Sequence, residues 1–176
     1  MSHFLTDVET LRARARAGIE QGPITEAYAA DRERVIGVLN ASLATEIVCW
    51  LRYKRHHFTA KGSPATEAIA AELLVHANEE LVHSDMLATR ITQLQGDPDY
   101  NPEGLLSRSH AEYAESLDLR KMLAEDLIAE RVAIASYTEI IKWLGTDDPT
   151  SRRLFEDILV QEEEHATDLL SFLSAM

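Results

Sequence analysis

Two stretches of the 176-residue chain set a histidine just after a run of acidic residues: His76 to Asp85 reads HANEELVHSD, and Gln161 to Asp168 reads QEEEHATD. Each contains a Glu-x-x-His pair, Glu80 with His83 and Glu162 with His165. Residues three apart share one face of a helix, so both side chains of such a pair can reach a common cation. A carboxylate beside a neutral imidazole is a hard oxygen and nitrogen donor set, the kind iron or manganese accepts. One pair alone means little, because seven histidines in a chain this rich in glutamate yield about one such spacing by chance. Two pairs in separate parts of the chain raise the question of what fold would bring them together.

The length suits one domain with a single hydrophobic core. Seven glycines and five prolines beside 45% hydrophobic residues favour long helices over a turn-rich fold. The net charge of −13 opposes a broad grip on nucleic acid, so DNA is not an expected partner and cations are better guests. Arg12, Arg14 and Arg16 are a local basic exception, read as the solvated face of a short helix. Cys49 is the single cysteine, which rules out an intrachain disulfide and makes the cytoplasm the default compartment. The N-terminal MSHFLTDVETLRARARAG has no apolar signal core, and no later stretch approaches the roughly twenty apolar residues of a membrane span.

Punctuation residues mark the elements. Gly62-Ser63-Pro64 supplies a terminating glycine, a capping serine and a first-turn proline, and Gly145 followed by Asp148-Pro149 repeats that grammar. Between these corners, GDPDYNPEGLLSRSH runs from Gly96 to His110, and Ser109 with Glu112 offers a capping box for the helix after it. Long helices are predicted from about Asp31 to Ala60, Pro64 to Gln95, His110 to Leu144, and Pro149 to Ser174. Ahead of them, a short amphipathic helix from about Thr6 to Gln21, with Leu5, Val8, Leu11 and Ile19, forms an arm over residues 1–30. Residues 31–176 make the bundle domain. Tight corners pair the first helix with the second and the third with the fourth as antiparallel hairpins, and the longer middle segment crosses the length of the bundle.

Apolar residues spaced alternately three and four apart form the buried seam of a bundle helix. Laid along this chain, the seams read Val35, Leu39, Ser42, Glu46, Cys49, Tyr53; then Ile69, Leu73, His76, Glu80, His83, Leu87. The third and fourth read Leu119, Leu123, Asp126, Glu130, Ala133, Tyr137 and Phe155, Ile158, Glu162, His165, Leu169, Phe172. Every seam is apolar at its ends and acidic near its middle. Four carboxylates meeting in one core would repel or protonate without a cation among them, since an unpaired buried charge costs several kcal/mol. Four carboxylates and two imidazoles shared between two ions leave positions open for an oxidant. Spacing selects Glu80 over Glu79, and Glu162 over Glu163 or Glu164, with the remaining glutamates facing away.

This set of residues resembles the bacterioferritin and ferritin-like di-iron carboxylate family from about Asp31 onward. The resemblance implies an all-α, ferritin-like four-helix bundle carrying two Fe ions per chain, with Mn possible. By that resemblance Glu46, Glu80 and His83 serve one iron, Glu130, Glu162 and His165 the other, and Glu80 and Glu162 bridge both. Haem-binding bacterioferritins are similar to one another in a methionine directly after the first Glu-x-x-His glutamate. Here that residue is Leu81, and Met86 does not fill the position, so haem is not expected. The chain ends eleven residues after His165, without room for the family's fifth helix. The expected homo-oligomer is thus a twelve-subunit shell like that of Dps proteins, with 24 subunits the alternative.

Neighbouring residues carry secondary expectations. Tyr53 and Tyr137 each follow a lone seam glutamate by seven residues, placed either to bond a ligand or supply an electron, or simply as core aromatics. Asp126 is placed to orient a ligand histidine. His76 reads as an iron-entry ligand or a satisfied core histidine, Cys49 as core filler, and His56 and His57 as imidazoles complementing a helix C-terminus. The function implied is a ferroxidase that stores or detoxifies iron, oxidising Fe(II) to Fe(III) with O2 or H2O2. The alternatives are a di-iron or di-manganese peroxidase or catalase-like enzyme without storage, and a DNA-protecting protein.

Overall fold

The computed structural model describes residues 6–60 and 62–176, and Leu5 of the predicted arm lies outside them. Six α-helices follow one another among the described residues: α1 Val8–Ala17, α2 Arg32–Thr59, α3 Pro64–Gln93, α4 Leu105–Arg108, α5 Leu119–Leu144 and α6 Pro149–Ala175. Side chains start each long helix by satisfying a first-turn N–H that the helix itself leaves free. Asp31 accepts from the Arg34 amide, Ser63 from Thr66, Asp118 from Lys121 and Asp148 from Ser151. Pro64 and Pro149 occupy first-turn positions where a missing N–H costs nothing.

α2 and α3 pack as one antiparallel hairpin, and α5 and α6 as the other. The stretch from Leu94 to Asp118 joins them, and its start is tight. Gln95 takes the left-handed conformation that ends α3, and a side chain at Gly96 would press against Ile36 at 2.9 Å. The join is fastened along α2: Asn40 donates to the Asp97 carbonyl and accepts from the Asp99 amide, and Thr45 accepts from the His110 amide. Further on, Arg52 donates to the Glu112 carbonyl and Arg55 to that of Ser116.

This path corrects the expected start of the third long helix. Ser109 turns back on its own neighbourhood, accepting from the Ala111 amide and donating to the Ala111 carbonyl, so the Ser109 and Glu112 pair caps nothing. The helix begins nine residues later, at Leu119 behind Asp118.

The core has two apolar ends. One gathers Leu39, Leu43, Leu87, Ile91, Tyr137 and Phe155; the other gathers Tyr53, Ile69, Leu73, Ala77, Leu123 and Leu169. Polar side chains fill the level between them. The arm behaves differently, with Val8, Leu11 and Ile19 at least half exposed and no residue of α1 buried. Its end is moored, since Tyr28 packs on the first cluster and donates to Asp148 at 3.0 Å.

One expectation about composition fails. α2 is long and apolar enough to cross a bilayer, with a window of mean hydropathy 1.4, although half of that window is buried within the bundle. It passes because the charges of α2 gather toward its two ends, and Glu46 in the apolar middle is buried.

Candidate metal centre

All six sequence-predicted site residues meet between the two apolar ends. α2 contributes Glu46, α3 Glu80 and His83, α5 Glu130, and α6 Glu162 and His165, each at most 2% exposed. They fall into two sets, Glu46 with Glu80, His83 and Glu162, and Glu130 with Glu80, Glu162 and His165. Glu80 and Glu162 belong to both.

The separations decide what these atoms suit. His83 Nδ1 lies 3.2 Å from Glu46, 3.1 Å from Glu162 and 3.7 Å from Glu80. His165 Nδ1 lies 3.5 Å from Glu80, 3.6 Å from Glu162 and 3.9 Å from Glu130. Ligand atoms held about 2.1 Å from one ion stand about 3 Å apart when adjacent and about 4.2 Å apart when opposite. The observed spacings span that range and are mostly long for hydrogen bonds. Both oxygens of Glu80, Glu162 Oε1 and His165 Nδ1 are buried with no hydrogen-bond partner among the described residues. Glu162 Oε1 is close to His83 Nδ1 but off the hydrogen-bond axis. Polar atoms orphaned on this scale are costly unless a cation satisfies them, so the donor set fits two hard divalent ions.

Electrostatics reports the same tension. Burial disfavours a charged His83, yet Glu162, Glu46 and Glu80 outweigh it and hold its pKa far above the ordinary value. His165 is pushed up to about 12 against burial by Glu162 and Glu80. Burial and then the Glu46 charge raise Glu80, while burial and the charges of Glu162 and Glu80 raise Glu130 well above the carboxylate range. Glu162 runs the other way: burial and Glu80 oppose its ionisation, but the neighbouring His165 and His83 imidazoles hold its pKa down.

The family model for the Ferritin-like domain matches residues 36–176, which hold every member of this cluster. The chain belongs to the ferritin-like family. It is 28% identical to a bacterioferritin of Desulfovibrio desulfuricans, over 77% of this chain and 72% of that one. It is 31% identical to a nutrient stress-induced DNA-binding protein of Synechococcus, over 77% and 78% respectively. Among solved structures, the bacterioferritin-related protein of Bacteroides fragilis, a dodecameric thioferritin, superposes with a TM-score of 0.79. That match has 29% identity and covers 84% of this chain and 88% of that one.

Around the cluster, the ferritin-like chain builds a second layer that seam spacing captures only in part. Tyr53 on α2 donates to Glu130 on α5, and Tyr137 on α5 donates to Glu46 on α2. These crossed pairs run in opposite directions along the two helices, so α2 and α5 are antiparallel across the bundle. The outward nitrogens are also held: His83 Nε2 lies 2.8 Å from the Gln161 side-chain oxygen, and His165 Nε2 lies 2.8 Å from Glu79. An Nε2–H donated outward leaves the Nδ1 lone pair for the cluster. Glu79, expected to face away, therefore serves the site, and Gln161 was not singled out at all. Both sit one residue before a seam glutamate, which is the signal that would have found them.

Asp126 does not orient a ligand histidine. It is fully buried between Arg52, whose Nε donates to it at 2.8 Å, and His56, whose Nδ1 lies 2.9 Å away. His56 is accordingly a core residue and not a partner of the helix end, while His57 Nδ1 contacts the Ala70 carbonyl at 2.6 Å. Cys49 is buried, and burial raises its thiol pKa well above the ordinary value. His76 is not satisfied as a core histidine: it stacks on His165, with ring centres 4.1 Å apart, and neither ring nitrogen finds a hydrogen bond among the described residues.

Proposed function

We propose that this chain is a ferroxidase of an iron-storing or iron-detoxifying homo-oligomer, oxidising Fe(II) at a cluster contained within each subunit. The observation that carries it is the pair of buried donor sets sharing Glu80 and Glu162 inside one chain. Ferrous iron is the substrate. Two ferrous ions give up one electron each, reducing hydrogen peroxide with two protons to two waters, or dioxygen with two protons to hydrogen peroxide. Glu46 and His83 hold one ion, Glu130 and His165 the other, and Glu80 and Glu162 lie between them. Negative carboxylates favour the more highly charged ferric product. Tyr53 and Tyr137 each fix one oxygen of a lone glutamate, which leaves the other oxygen directed at an ion.

The dodecameric Bacteroides fragilis relative supports a twelve-subunit assembly for this chain. Exposed Phe58, Ile128, Val160 and Leu170 on the outer faces of the long helices supply apolar surface for such contacts. The −13 charge suits an acidic interior that receives ferric ions, and it sets this chain against a DNA-binding role like that of the Synechococcus relative.

The test is ferrous titration without oxygen, followed by air. Two irons per chain are expected to oxidise in the fast phase, and Glu80→Ala abolishes that phase. A Glu80→Ala variant that oxidises iron at the normal rate overturns the site. A protein that elutes as a dimer overturns storage in a shell.

A further inference from the structure

One histidine beside the cluster has the burial of a core residue without its hydrogen bonds. His76 is 1% exposed, and both of its ring nitrogens lack a partner among the described residues. Leaving a buried donor or acceptor unmade costs about 1–3 kcal/mol, so a side chain in this state needs a reason. Its Nε2 points to two carboxylates, at 3.8 Å from Glu72 Oε1 and 3.7 Å from Asp168 Oδ2. Those distances are too long for hydrogen bonds and match the spacing of atoms that share one ion with bonds of about 2.1 Å.

The placement follows from the packing of α3 against α6. Glu72 and His76 are one turn apart on α3, so they share a face. Asp168 lies three residues beyond His165 on α6, and the two helices run antiparallel, which brings Asp168 level with His76. The carboxylates are partly open to solvent, with side-chain exposures of 39% for Glu72 and 49% for Asp168. The imidazole is closed in, stacked flat on His165 with ring planes 25° apart. The three side chains thus run from solvent toward the six-residue cluster.

We infer that Glu72, His76 and Asp168 form a separate mononuclear site for a divalent transition-metal ion, which loads the neighbouring cluster. Two carboxylates gather a hydrated cation from solvent, and one imidazole replaces part of its water shell. The nitrogen donor favours ferrous, manganous or zinc ions over magnesium and calcium, which take oxygen ligands. Three protein ligands leave coordination positions free, so the ion is held without being enclosed and can move on. The loading role rests on the ferroxidase reading; the binding site does not.

Anomalous diffraction from crystals of the assembled protein equilibrated with cobalt(II), which air does not oxidise under these conditions, tests the site directly. The expected result is a pair of peaks in the cluster and a third among Glu72, His76 and Asp168. In Glu72→Gln/Asp168→Asn, which alters only partly exposed groups, the third peak disappears and the pair remains. Ferrous oxidation at limiting iron then slows several-fold, while the number of irons oxidised per chain is unchanged. An occupied pair with no third peak overturns this proposal alone. A third peak with no pair overturns the ferroxidase reading and the loading role with it. A double variant that oxidises limiting iron at the wild-type rate overturns the loading role.

Discussion

Metal uptake by this cluster must be an exchange for protons, and the structure sets a minimum for how many. In the metal-free chain the His83 pKa is far above neutrality and that of His165 is pushed up to about 12, so both imidazoles carry a second proton near neutral pH. Their Nε2–H groups are engaged with Gln161 and Glu79, so the proton that an ion displaces is the one on Nδ1. Ligation needs neutral imidazoles, which gives at least two protons released per filled cluster. Two protons make the overall two-ion binding constant rise about a hundredfold per pH unit, or about 2.7 kcal/mol. The sign for stability is opposite in the empty chain. A histidine with a raised folded pKa contributes stability that is complete below its unfolded value of 6.5, and for His165 this is lost as pH climbs from there through about 12. Calorimetric cobalt(II) titrations in buffers of different ionisation enthalpy count the protons directly. Release of fewer than two protons per cluster, or an affinity flat with pH, would refute the reasoning.

Three further substitutions separate the surrounding side chains from the cluster. Arg52→Met leaves Asp126 without its arginine partner in a fully buried place and unties the Glu112 carbonyl. Breaking such a pair costs about 3–5 kcal/mol, which corresponds to a melting point lower by roughly 6–20 °C for a chain of this size, and a loss under about 1 kcal/mol contradicts the buried network. Tyr53→Phe and Tyr137→Phe each remove a donor to a buried carboxylate, so the metal-free chain loses about 1–3 kcal/mol in urea unfolding while still binding two ions in the cluster. An unchanged urea midpoint would show that those phenols carry no weight.

The four long helices were legible because each hairpin corner is spelled out by capping residues, and the six cluster residues because a charge on a buried seam is conspicuous. What stayed hidden needed either a cross-bundle register or a long reach. The seven-residue spacing placed Tyr53 and Tyr137 two turns from their own glutamates, but only the antiparallel meeting of α2 and α5 reveals that each serves the other hairpin's carboxylate. Arg52 lies off the simple seam and His56 is its next step beyond Tyr53, and both extend inward to Asp126, so a seam that stops at Tyr53 assigns Asp126 the wrong partner. Ser109 fails for a local reason: its hydroxyl closes a small turn on Ala111 before a helix can claim it, and Asp118 takes the capping role instead.

The fastening of the crossover to α2 also decides where that helix can live. By composition α2 would pass for a lipid-spanning segment, yet Asn40, Thr45, Arg52 and Arg55 recur along it, each bonded to the backbone of the Asp97 to Ser116 stretch. In hydrocarbon these groups would have nothing to bond, and Glu46 would stand as a bare charge among acyl chains. A few polar side chains thus anchor a strap and, by the same contacts, commit a helix with a bilayer-length apolar window to the company of other helices.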